Sequence, residues 1–182
     1  VGHAAWVGPF SRASQGQTDT VGRIITSDAC VAEGAEWLAG RVPAFATALR
    51  QTGPLPLRLR PDGFAALLDA IVSQQVSRAS ADAIWARLMQ AGLTGEAAVV
   101  ASDETALRSC GLSAPKIRYA LSLARAGVDY GALRTLPTDE VIVRLTALPG
   151  VGRWTAEIYA MFSLGRADVF APGDLALQEA AR

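Results

Sequence analysis

The chain has little of what many catalytic chemistries require. Its 182 residues include a single histidine, His3, and two cysteines, Cys30 and Cys110, far apart in sequence. No His/Cys spacing of a zinc site is present, and no disulfide framework. The two thiols read as reduced cysteines of a cytoplasmic protein, and His3 as an inert residue near the N-terminus. No phosphate loop ending in Gly-Lys-Ser/Thr occurs. No apolar run approaches the roughly 18 residues of a membrane span. Residues 1–20 carry Gly, Ser, Gln and Thr without the charged-then-apolar order of a secretory signal, so they read as a flexible leader. Excess charge is missing too: 17 basic and 17 acidic residues leave a net charge of zero. That argues against a broad non-specific nucleic-acid coat but leaves room for a short footprint of phosphate contacts. Lys116 is the only lysine, a skew that reflects genome composition more than function.

What is present is apolar and helical. Hydrophobic residues make up 51% of the chain, enough for a substantial core in one domain or in two small lobes that share it. Asp28 is placed to cap a helix reaching about Ala39, and Pro43 to Leu49 forms another. Thr52 to Pro61 carries three prolines and reads as an extended connector. Asp62 is expected to cap a long helix, because Phe64, Leu67, Leu68, Ile71, Val72 and Val76 recur at three- and four-residue spacing. Ile84, Trp85 and Leu88 continue that pattern in the same helix or a successor, which Gly92 stops. Ser102 is expected to cap a helix that Gly111 ends, and Pro115 opens one that Gly127 closes. A helix follows Leu136-Pro137-Thr138, and Arg153 to Leu164 forms another, terminated by Gly165. Phe170 to Gly173 is a loop, and a last helix begins at Leu175. Convincing strands are absent, so the fold class is all-α.

Four features carry candidate chemistry. The first is Leu148-Pro149-Gly150-Val151-Gly152-Arg153-Trp154-Thr155-Ala156, a Gly-rich hairpin between two helices. Its glycines permit positive φ and close backbone approach, and the next helix turns its free N–H groups outward, where a phosphate oxygen is the natural ligand. A monovalent cation on the carbonyls of Leu148 and Val151 is a candidate aid; a tight turn without any ligand is the plain alternative. The second is Asp174, after Pro172-Gly173 at a helix start, where an N-cap is the commonest role. Asp168, the neighbouring acid, reads as an exposed loop residue. The third is Gln74-Gln75, two amides in apolar surroundings: either one is solvated and one buried and hydrogen-bonded, or the pair has a ligand to face. The fourth is Trp154, an indole whose plain reading is core packing. Ser77 is a candidate phosphate contact.

Taken together, Leu148 to Ala156, Val169 to Asp174, Ala70 to Ser77 and Gly111-Leu112-Ser113 with Lys116 resemble the helix-hairpin-helix DNA glycosylases, in particular the 3-methyladenine (alkyladenine) branch. The resemblance covers about residues 21 to 182 and leaves the domain short at its C-terminus; the iron–sulfur cysteines of some relatives are absent. It implies a two-lobed all-α fold with an active-site cleft between the lobes. It implies that Asp174 is catalytic, stabilising positive charge on the sugar as an N-glycosidic bond breaks. Trp154 stands where strand-cutting members carry a Lys nucleophile, which implies a monofunctional enzyme. The base pocket it implies contains Trp154, Tyr159 and Gln74, although Ile158 rather than Tyr159 lies one helical turn from Trp154. Gln75 matches the wedge that fills the gap left by a flipped base. Gly150, Val151, Gly152, Arg153 and Ser77 fall on the DNA backbone. The implied partner is double-stranded DNA with a damaged base, bound by a monomer of the bacterial cytoplasm or nucleoid, with no cofactor beyond the cation. Two rival readings remain: a non-catalytic DNA-binding module that ignores Asp174, and a glycosylase for another lesion.

Overall fold

The computed structural model describes residues 21–180; the expected leader and His3 lie outside the described residues. The described chain forms eleven helices: α1 (Asp28–Ala39), α2 (Pro43–Thr52), α3 (Phe64–Ser73), α4 (Arg78–Gln90), α5 (Glu96–Ala101), α6 (Glu104–Ser109), α7 (Ala114–Arg125), α8 (Tyr130–Leu133), α9 (Thr138–Thr146), α10 (Arg153–Phe162) and α11 (Leu175–Ala180). Extended pairing among the described residues is one isolated antiparallel bridge between Ile24 and Arg166. The all-α expectation holds.

The core follows from helical periodicity. α3 buries Phe64, Leu67, Leu68, Ile71 and Val72, so its apolar residues point inward on one face. α7 answers with Ile117, Ala120, Leu121, Leu123 and Ala124, and α9 with Val141, Ile142 and Leu145. α10 closes the cluster with Ala156, Tyr159 and Ala160. By contrast α1 and α2 bury no residue fully and pack against each other. They are tied back through the Leu57 N–H, which donates to Asp28 at 3.2 Å, and the Ile25 N–H, which donates to the Gly165 carbonyl at 2.7 Å.

Several helix starts differ from the sequence expectation. Ser27, not Asp28, caps α1, its hydroxyl accepting the Cys30 N–H. Asp62 does not cap α3; its carboxylate takes both arms of the Arg134 guanidinium at 2.7 Å, and Gly63 holds the cap position. Ser102 ends α5, while Asp103 caps α6 by accepting the Ala106 N–H at 2.7 Å. The long helix expected from Phe64 through Val76 stops at Ser73, because Gln74 is extended and Gln75 adopts φ 54°. A separate helix, α4, then starts under a Ser77 cap. The Gln pair therefore occupies a turn rather than a helix.

Arg166 locks the end of α10 to the rest. It is only 3% exposed, and its guanidinium donates to the carbonyls of Val21, Leu133, Arg134 and Leu136. Burial draws its pKa down, yet a guanidinium remains charged in proteins. Four carbonyl dipoles hold that charge and stitch three distant segments together. Arg166→Met should cost about 2–4 kcal/mol in urea denaturation, since the carbonyls lose a charge-assisted donor while staying buried. Arg166→Lys should restore little of it, because one ammonium cannot span the four acceptors.

Candidate active site

The hairpin between α9 and α10 is braced from below. Val151 is buried, Leu148 packs against the core, and the Val151 N–H donates to the Leu148 carbonyl at 3.0 Å. Gly150 has φ 85°, and a Cβ there would run into the Tyr119 ring. Gly152 differs: it caps α10 with no side-chain hydrogen bond, and a Cβ would meet open space. The first-turn N–H groups of α10 thus have no side-chain acceptor, leaving a positive helix end open to an anion. Arg153, the first residue of α10, keeps its side chain largely exposed while its Nε donates to buried Glu157 at 2.8 Å.

Gln74 sits against this hairpin and does not line the larger cleft beside it. Its Nε2 donates to the Gly150 carbonyl at 2.8 Å, and it lines the shallow surface beside the hairpin with Tyr119 and Thr155. The turn after Ser73 swings its amide off the helical face that the expected continuous helix would have given it. Gln75, next to it, is exposed at the tip of that turn in a left-handed conformation uncommon for a residue with a Cβ. Ser77 is exposed as well, and its hydroxyl is engaged in capping α4, accepting the Ser80 N–H at 3.2 Å.

Beside the hairpin opens a cleft of about 680 Å³. α3 and α4 line one side; α10 and the loop before α11 line the other. Asp174 and Trp154 meet there, the indole Nε1–H donating to Oδ2 of the carboxylate at 3.0 Å. The other oxygen, Oδ1, accepts the N–H groups of Ala176 and Leu177 at 2.9 and 3.1 Å, so Asp174 is also the N-cap of α11. The Trp154 donor, and after it the Leu177 and Ala176 amides, hold this carboxyl below the usual carboxylate range. One residue thus caps a helix, the role its position suggested, and also turns a fixed carboxylate oxygen to the cleft. Trp154 is 42% exposed and turns its ring to the cleft rather than into the core.

Tyr159 also lines the cleft, and so does Ile158. The Tyr159 hydroxyl accepts the Gly63 N–H at 2.8 Å, and burial pushes its pKa up to about 12. Its oxygen is committed to the start of α3, which leaves only ring surface for the cavity. Among the lining residues that sequence reasoning passed over are Trp85 on α4, Phe162 on α10 and Asp69 on α3. Trp85 and Phe162 look like ordinary members of apolar helical faces. Asp69 carried a usable signal, being one acid inside an apolar run from Phe64 to Val72.

Residues 68–182 match the model of the HhH-GPD superfamily base excision DNA repair proteins. The chain belongs to this superfamily. Among curated relatives, DNA-3-methyladenine glycosylase 1 of Schizosaccharomyces pombe is 35% identical over 126 residues, covering 64% of this chain and 55% of the relative. DNA-3-methyladenine glycosylase 2 of Escherichia coli is 30% identical over 156 residues, covering 77% and 52%. This HhH-GPD chain thus spans about half the length of the curated relatives it matches. Among solved structures, a DNA-3-methyladenine glycosidase of Bacillus halodurans superposes with a TM-score of 0.71 at 32% identity, over 87% of this chain and 75% of that one. The S. pombe 3-methyladenine DNA glycosylase, solved in complex with abasic DNA, gives 0.72 at 29% identity, over 82% and 79%.

Two substitutions separate the roles of the hairpin glycines. Gly150→Ala should lose about 2–4 kcal/mol in chemical denaturation, from positive φ plus the clash with Tyr119. Gly152→Ala should stay within about 1 kcal/mol of the parent. A third tests the indole: Trp154→Phe should move the Asp174 titration upward, read by carbon-13 NMR of the carboxyl. The native carboxyl has a depressed pKa, so the stability it contributes is present above the ordinary Asp range and is lost as pH falls through the folded value. In the variant that contribution should be smaller, and its loss, which starts at the unchanged unfolded-state pKa, should be complete at a higher pH.

Proposed function

We propose that this HhH-GPD chain is a monofunctional DNA glycosylase of base excision repair, hydrolysing the N-glycosidic bond of alkylated purines such as 3-methyladenine. The observation that carries this reading is the Asp174–Trp154 pair in a cleft directly beside a Gly-rich hairpin. Names of the relatives supply the substrate class, and the abasic-DNA complex of one of them supports DNA as the partner.

The mechanism follows from the charges. The open start of α10, with Gly150, Val151, Gly152 and the outward guanidinium of Arg153, holds the DNA backbone by its phosphates. Gln75, at the tip of its turn, enters the duplex where the damaged nucleotide leaves, while Ser77 lies against the neighbouring backbone. The extruded base stacks on Trp154, with the Tyr159 ring behind. An indole face attracts the positive charge of an alkylated purine. As the base departs with the bonding electrons, the sugar becomes an oxocarbenium ion. Asp174, already anionic and fixed by three donors, stabilises that ion; water then adds, leaving an abasic site.

Among the described residues the cleft offers covalent strand cleavage no amine nucleophile. An indole cannot form a Schiff base, and the ammonium of Lys116 is held on the Val72 carbonyl at 2.7 Å. A monovalent cation on the carbonyls of Val151 and Leu148, the latter also accepting the Val151 N–H at 3.0 Å, would add positive charge where a phosphate docks. No helix of the described residues is long and apolar enough to cross a membrane.

Release of free base from methylated DNA tests the reading. Asp174→Asn should slow release by about 10²–10³-fold or more while leaving DNA binding intact. Borohydride should trap no protein–DNA adduct. Binding without release by the parent protein at any concentration would instead leave a DNA-binding module, in which Asp174 only caps α11.

A further inference from the structure

The cleft contains a second carboxylate for which the proposed reaction has no task. Asp69 projects from α3 into the cavity, while its helical neighbours Leu68 and Ile71 turn to the core. Around it the cavity wall is made of small side chains, Ala65, Ala66, Ala70 and Ser73, so a planar ring can reach the acid.

Nothing among the described residues satisfies this carboxylate. Among the described residues no donor hydrogen-bonds to it and no cation pairs with it within 4.0 Å. The two nearest cationic residues of the cleft are otherwise engaged: Arg78 pairs with Asp82 at 3.0 Å, and the Arg60 guanidinium lies 5.9 Å from the centre of the Phe162 ring. Both act on Asp69 only through space, and burial outweighs them, raising its carboxyl above the usual range. A half-buried acid without a partner is costly unless a ligand completes it. The same cavity offers the indole of Trp154 on one side and that of Trp85 on the α4 side, surfaces that favour a flat cation.

The geometry points to Asp69 as the residue that selects positively charged purines: its carboxylate is the counter-ion for the ring of a flipped N-alkylated base. This rests on the glycosylase reading for the identity of the base-binding cleft and deepens it. Asp174 serves every substrate, because every substrate generates a sugar cation. Asp69 serves only bases that arrive already charged, since a neutral purine brings no charge to balance it. Asp69 thus sets specificity, where Asp174 sets rate.

The test compares release of 7-methylguanine, a cationic base in DNA, with release of hypoxanthine, a neutral one, under single-turnover conditions. Asp69→Asn should lower the ratio of the two rates by about tenfold, the scale of one partly screened charge contact. Asp69→Glu should recover part of it. Thermal unfolding of each variant checks the fold. A second measurement needs no catalysis: quenching of tryptophan fluorescence by free 7-methylguanosine in its cationic form, against guanosine. The parent protein should prefer the cation, and Asp69→Asn should cut that preference by about tenfold, leaving the part that the indoles of Trp154 and Trp85 supply. An unchanged ratio, or an equal loss for both ligands, overturns the assignment. Should the parent release no base from either DNA, the glycosylase reading fails, while the nucleoside preference still decides Asp69.

Discussion

A single hydrogen bond, from the Trp154 indole to Asp174, organises the functional side of this fold. Trp154 is the second residue of α10, and its position is inherited from the hairpin that starts that helix. Asp174 begins α11 and would otherwise face solvent as a simple cap. The bond brings the two helix starts together and divides the carboxylate between them, one oxygen for the helix amides and one for the indole. Three donors keep the group ionised, and its orientation is set before any ligand arrives. An unsupported aspartate on a loop would have the charge without the fixed position.

The hairpin that places Trp154 is itself held by two neighbours. Tyr119 of α7 fills the space under Gly150, and Gln74 at the end of α3 bonds its carbonyl. α7 also reaches α3 directly, through Lys116 on the Val72 carbonyl, which satisfies one of the acceptors left open at that helix end. The turn at Gln74-Gln75 is therefore fixed from both sides. One glutamine supports the loop and the next is left at an exposed, left-handed tip, so two identical adjacent side chains have unrelated roles. The backbone between them decides which is which.

Much of this was readable from residue order. The apolar spacing along α3, α7 and α9, the Pro and Gly boundaries of α7, and the hairpin string all signal themselves locally, because helical periodicity and turn chemistry act over a few residues. The short helices α5 and α8 do not, since four to six residues are too few to show a periodic face. Cap assignments slipped by one residue at Ser27 and Asp103, because their neighbours are engaged elsewhere, Asp28 accepting the Leu57 N–H and the Ser102 hydroxyl donating to the Val99 carbonyl. Asp62 went to Arg134 because an ion pair far along the chain outweighed a local capping bond.

By itself the sequence determined the all-α class, the Gly-rich hairpin and the two residues, Trp154 and Asp174, that the proposed reaction uses. Each depends on local spacing or on a residue type that no other can replace. Tertiary structure decided that these two touch, that Gln74 braces a loop rather than lining the cleft, and that Asp69 shares the cavity with them. Those facts depend on how helices distant in sequence pack, and packing is chosen by burial of the whole core, to which no short stretch of sequence has access.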